Sequence, residues 1–64
     1  MTVQTSIGKI TADKETIHRL LDLTVFASSH ADSQGYEASK RVFEETFHQI
    51  FDALDEVGYY DDVK

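Results

Sequence analysis

The stretch YEASKRVFEETFHQIFDALDEV, residues 36–57, decides the fold. Its apolar residues recur every three or four positions, at Tyr36, Phe43, Phe47, Ile50, Phe51, Leu54 and Val57. This spacing is typical of an amphipathic helix that packs in a bundle, and Lys40 interrupts the stripe. We therefore expect a helix over about 34–57, closed by Gly58 in the left-handed conformation.

A second helical pattern precedes it, over about 12–29. Thr11 or Asp13 can cap its start, and its apolar stripe combines Ile17, Leu20, Leu21, Thr24, Val25 and Ala27. Leu23 and Phe26 point toward the other side of this helix. Two explanations stay open: the N-terminal arm covers them, or another subunit or partner does.

The connecting segments are short. SSHADSQG, residues 28–35, is rich in residues that favour caps and turns, so it is predicted to be the loop, with Asp32 or Ser33 capping the second helix. Residues 1–10 alternate weakly and predict an extended arm or edge strand, whose partner strand would have to come from another molecule. Residues 58–64 form an acidic, aromatic tail.

Together these patterns predict an all-α fold, a single domain over 1–64 built as an antiparallel two-helix hairpin with a short extended N-terminal arm. A domain of this size buries only roughly 60% of its unfolded surface, and without cysteine it has no disulfides. We therefore expect the hairpin to complete a helical bundle by dimerisation. The predicted oligomer interface is Leu23, Phe26, Phe43, Phe47 and Phe51.

The net charge of −6 is unevenly distributed. Residues 1–41 carry five acidic and five basic side chains, whereas residues 42–64 carry seven acidic ones against Lys64 alone. A nucleic-acid backbone or an anionic membrane requires the opposite sign, so we expect direct binding to neither.

The acidic last third instead favours a protein partner with a basic surface. The predicted partner-binding residues are Glu44, Glu45, Asp52, Asp55, Glu56, Tyr59, Tyr60, Asp61 and Asp62. Tyrosine is enriched at binding hot spots, and beside carboxylates it suits Arg and Lys of a partner. The competing interpretation is a solvated helix face with a fraying end.

The residues offer little for catalysis or metal binding. Glu45 and His48 have the Glu-x-x-His spacing of di-iron bundles, but both project away from the apolar stripe. Exposed helix carboxylates lack the burial that tunes a catalytic pKa, and the serines are explained as turn residues. We expect no enzyme activity, no catalytic or metal site and no cofactor.

Neither a signal peptide nor an apolar run long enough for a membrane span is present, so the expected location is the cytoplasm. In size, acidity and helical content the chain resembles inhibitors that phages and mobile elements encode, which occupy the nucleic-acid-binding surface of a host enzyme. Two functions stay open. One is an inhibitor or regulator that docks its acidic third on a basic surface, as a nucleic-acid mimic for example; the other is a homo-oligomeric structural bundle.

Overall fold

The chain folds into two long helices, preceded by a β-hairpin and followed by a short 3₁₀ helix. A computed structural model describes the backbone of residues 1–63 and the side chains of residues 1–61. The elements are β1 (Thr2–Thr5), β2 (Gly8–Thr11), α1 (Lys14–Gln34), α2 (Glu37–Glu56) and the 3₁₀ helix (Tyr59–Val63). The fold confirms the prediction of two helices, but the all-α class is corrected by the two-stranded sheet.

Helix α1 begins at a predicted cap and ends later than predicted. The Asp13 carboxylate accepts a hydrogen bond from the Thr16 backbone N–H at 2.7 Å. Hydrogen bonding to the Thr16 side chain and to its backbone N–H lowers the pKa of Asp13 below its usual value. The predicted loop over 28–35 is wrong, because α1 continues through Gln34. The preference of serine and aspartate for turns is a local tendency that tertiary packing can override, and here Ala31 is buried within the helix pair.

Gly35 ends α1 and reverses the chain. Its φ of 75° is left-handed, and two hydrogen bonds close the helix: Tyr36 N–H to the Ala31 carbonyl at 2.8 Å, and Gly35 N–H to the Asp32 carbonyl at 3.2 Å. These are the paired bonds of a Schellman motif. Because the turn needs only two residues, α2 runs back antiparallel to α1. Neither Asp32 nor Ser33 caps α2, since both lie inside α1.

The N-terminal segment is a β-hairpin within one molecule. Strand β1 pairs antiparallel with β2, with Val3 opposite Ile10 and Thr5 opposite Gly8. The prediction of a lone strand that needs another molecule is therefore wrong. The Ser6 backbone N–H donates a hydrogen bond to the Gln49 side-chain oxygen at 2.7 Å, which ties the hairpin turn to α2.

The core lies where the hairpin, the start of α1 and the end of α2 meet. Its buried members are Val3, Ile17, Leu21, Ile50 and Leu54. The predicted stripe of α2 is right at Ile50 and Leu54 but is displaced at its edges, because Thr46 is fully buried whereas Phe51 is 41% exposed. The Thr46 hydroxyl donates to the Val42 carbonyl at 2.8 Å. This internal hydrogen bond offsets the free-energy cost of burying the hydroxyl.

Gly58 closes α2 in the left-handed conformation that the sequence predicts, with a φ of 76°. Its N–H donates to the Asp55 carbonyl at 3.0 Å, and the chain then turns back toward the core. Tyr59 and Tyr60 consequently pack against the core cluster as partly buried side chains. The described part of the predicted tail is therefore an ordered turn of 3₁₀ helix.

Candidate protein-binding site

The acidic side chains of the last third lie on the outside of the fold. Those that the structure describes, Glu44, Glu45, Asp52, Asp55, Glu56 and Asp61, are all exposed, and we call this set the acidic surface. The side chain of Asp62, also a predicted partner-binding residue, lies outside the described residues. Exposure on one helix and the segment after it is the arrangement that a charged docking surface requires.

Helical spacing divides the carboxylates of the acidic surface that lie on α2 into two stripes. Glu44 and Asp55 share a stripe with His48 and Phe51, three or four residues apart, and this stripe borders α1. Glu45, Asp52 and Glu56 form the other stripe, on the side away from α1. The first stripe therefore places Asp55 next to Phe51 and Glu44 next to His48.

Three of the five acidic residues earlier in the chain, Asp13, Glu15 and Asp32, have structural partners, whereas Asp22 and Glu37 have none among the described residues. Glu15 pairs with Arg19 at 2.8 Å, and Asp32 pairs with Lys40 at 2.9 Å. Within the part of the chain whose side chains are described, no ion pair or hydrogen bond engages a carboxylate of the acidic surface. Its negative charge is therefore uncompensated by any side chain that the structure describes.

Six aromatic rings form a continuous chain along one side of the helix pair. In spatial order they are His18, Tyr59, Tyr60, Phe51, Phe47 and His48. Successive ring centroids lie 5.1–6.3 Å apart, within the range of favourable aromatic contacts. The sequence analysis missed this chain, since it arises only when the 3₁₀ helix folds back onto α1. The dipeptide Tyr59-Tyr60 directly after a helix-ending glycine was the available signal.

Tyr60 occupies the middle of this aromatic chain. Its hydroxyl oxygen is buried and has no hydrogen-bond partner among the described residues. Burial raises the pKa of Tyr60 above its usual value, and the neighbouring Tyr59 and Asp55 raise it further. Tyr60 therefore acts chiefly as an internal packing residue, with its ring against Phe51 at 5.2 Å.

A groove of about 400 Å³ runs between α1 and α2 on the same side as the aromatic chain. Its lining is Thr24, Val25, Ser28, Ser29 and Asp32 from α1 and Lys40, Phe43, Glu44, Phe47 and His48 from α2. We call it the interhelical groove. The Lys40 ammonium donates to the Asp32 carboxylate, which raises the pKa of Lys40 and compensates its charge. Glu44 is the lining carboxylate that remains unpaired among the described residues.

A second, smaller groove of about 190 Å³ lies on the opposite side, beneath the hairpin. We call it the hairpin-side groove, and its lining is mostly apolar: Ile7, Ile10, Leu20, Leu23, Thr24, Ala27, Phe43, Thr46 and Ile50. Ile7 and Leu23 at its edge are 56% and 62% exposed.

The predicted oligomer-interface residues do not share one face. Phe47 and Phe51 stack with centroids 6.3 Å apart on the side of the interhelical groove, whereas Leu23 lines the hairpin-side groove. Phe43 lines both grooves, and Phe26 lines neither. Since Leu23 and Phe26 are 62% and 78% exposed, the explanation that the N-terminal arm covers them is wrong.

Glu45 and His48 are both exposed, and among the described residues no three His, Asp or Glu side chains lie close enough together to hold a metal ion.

No helix within the described residues has the length and apolarity to cross a membrane. No family model, curated protein or solved structure matches the chain.

Proposed function

We propose that this chain is a small binding module that docks its acidic surface on a basic surface of a partner protein, as an inhibitor or regulator. The basic surface of a nucleic-acid-binding protein would suit it, since the acidic surface presents closely spaced negative charges, as a nucleic-acid backbone does. The observation that carries the proposal is the uncompensated charge of the acidic surface.

That charge is unfavourable for the fold itself. Asp55 and Glu56 stand in the last turn of α2, where the helix dipole favours cations, and the last turn holds no basic residue. Asp52 is also one turn from Glu56, and like charges at this spacing repel. A basic partner would relieve both penalties, so the charge has a physical reason in binding that it lacks in folding.

Reversal of two charges tests the proposal. Asp52→Lys with Asp55→Lys should leave the fold intact or stabilise it, by about 0.3–1 kcal/mol for a cation near the helix end. Association with a partner captured from the organism that encodes the chain should become markedly slower at low ionic strength and much less so at high ionic strength.

Asp22→Lys is the control, because it reverses an exposed charge on α1 outside the acidic surface. Circular dichroism checks folding and stopped-flow fluorescence measures association. Unchanged association of the folded double variant, or equal slowing by Asp22→Lys, would contradict the proposal.

Exposed apolar side chains favour a second candidate, a homo-oligomeric assembly. Ile7 and Leu23 leave the hairpin-side groove open, and a second copy packed there would complete the helical bundle. Sedimentation velocity at micromolar concentration should then show a dimer, which Leu23→Asp converts to a monomer. A parent chain that sediments as a monomer of 7.3 kDa would exclude this candidate.

A further inference from the structure

The interhelical groove differs from the hairpin-side groove in carrying charge at its rim. Its lining combines the apolar surface of Val25, Phe43 and Phe47 with the exposed groups Glu44 and His48. Val25 is 54% exposed, so its side chain has apolar surface that no part of the fold covers.

The dimensions of this groove suit a helix. It extends over residues 24–32 of α1 and 40–48 of α2, which at 1.5 Å per residue is a length of about 12–14 Å. Two antiparallel helices with an open groove between them can receive apolar side chains from a third helix at positions i, i+3 or i+4, and i+7. About two turns of such a helix match the length.

The charge around the groove favours a bound helix with basic rather than acidic side chains. Lys40, the one basic residue in the lining, is paired with Asp32. Glu44 and, farther along the same stripe of α2, Asp55 are unpaired among the described residues. Phe51 lies between them and is 41% exposed, so a Lys or Arg beside these carboxylates would also meet an aromatic ring.

We propose that the interhelical groove binds a basic amphipathic helix, whose apolar side chains pack on Val25, Phe43 and Phe47 while its Lys or Arg side chains face Glu44 and Asp55. This inference rests on the proposed function and names the partner element that the acidic surface recognises. It places the contact on one stripe of that surface, with Glu45, Asp52 and Glu56 contributing only at longer range.

A synthetic helical peptide tests the groove. The probe is a fluorescent peptide of about 18 residues made of Leu, Ala and Lys, with its leucines at helical spacing; the control peptide has the same composition in an order that forms no apolar stripe. Fluorescence anisotropy should show the amphipathic peptide binding at least about tenfold more tightly than the control peptide. Equal affinities would overturn the groove proposal.

Two matched variants of the protein locate the contact. Val25→Lys places a long cationic side chain in the groove, and Val57→Lys makes the same substitution at a comparably exposed position inside the acidic third. The groove proposal expects Val25→Lys to weaken binding by about tenfold or more, and Val57→Lys by only a few-fold. Circular dichroism should show both variants folded, since both positions are exposed.

The outcomes separate this inference from the proposed function. If Val57→Lys weakens peptide binding as much as Val25→Lys does, charge alone attracts the peptide. The groove proposal then fails, while the proposed role of the acidic surface stands. If Asp52→Lys with Asp55→Lys leaves partner association unchanged, the proposed function fails. Backbone amide shifts on peptide addition that cluster at the hairpin-side groove would also overturn the groove proposal.

Discussion

The two halves of the helix pair are built differently. In the half where α1 begins and α2 ends, the covered half, the hairpin and the 3₁₀ helix close the core around Ile17 and Leu54. In the half next to the Gly35 turn, the open half, the buried positions include Thr24, Ala31 and Thr46, and nothing among the described residues covers the two flanks.

The difference teaches that this fold concentrates its buried apolar core in one half and leaves apolar side chains exposed in the other. Large aliphatic side chains are enclosed in the covered half, which supplies most of the hydrophobic free energy. The small buried residues of the open half let the helices approach while leaving grooves beside them. Few buried apolar contacts mean low local stability, as is common where binding occurs.

The largest expected effect compares one substitution in each half. Leu54→Ala should lower the free energy of unfolding by about 2–5 kcal/mol, because Leu54 is fully buried and its loss leaves a cavity. Val25→Ala, at a position in the open half that is 54% exposed, should change it by no more than about 0.5 kcal/mol. Urea denaturation followed by circular dichroism measures both. Comparable losses would show that the open half is as well covered as the other.

The sequence predicts most of the helical frame. The period of α2, the Asp13 cap and the Gly58 turn are local features, each readable from a few neighbouring residues. The hairpin is not predicted, because its strands have only four residues each and can be recognised as strands only once Val3 is seen to pair with Ile10. The extension of α1 over 28–34 is not predicted for a related reason, since the burial of Ala31 depends on tertiary packing.

The candidate site is predictable only in part. Charge alone indicates that residues 42–64 carry an acidic surface, and the structure places its described side chains outside the core. The interhelical groove depends on which edge of each helix is left uncovered. The sequence pattern placed Phe51 in the buried stripe and left Thr46 out of it, so the predicted edge of α2 was wrong. Thr46 counts as polar in a sequence pattern, yet its hydroxyl hydrogen-bonds within its own helix and the residue packs in the interior.

An intermediate effect is expected at the edge of the covered half. Tyr60→Phe should raise the free energy of unfolding by about 1 kcal/mol, because it removes a buried hydroxyl without a described partner. Since folding raises the pKa of Tyr60, the parent should keep its stability up to about pH 10, the ordinary value, and lose some as the pH rises through the raised value.

Thermal melts between neutral pH and about pH 11 measure this dependence, and Tyr60→Phe should flatten it. Tyr36→Phe is the control, because Tyr36 is 54% exposed in the open half. Equal stabilisation by the two substitutions would mean that the Tyr60 hydroxyl has a partner in solution.

The smallest effect is expected at Phe26, which is 78% exposed in the open half. If the chain is a monomer whose open half awaits a partner, Phe26→Ser should change the free energy of unfolding by less than about 0.5 kcal/mol, and the melting temperature should not depend on concentration. If a second copy covers that face, the parent should melt at higher temperature as its concentration rises, and Phe26→Ser should abolish the dependence. Calorimetry of both proteins at concentrations about a hundredfold apart distinguishes the two cases, since RT ln of that ratio is about 2.7 kcal/mol. A concentration-independent melt of the parent would leave the open half free for the basic helix, whereas a dependent one would assign at least its Phe26 side to self-association.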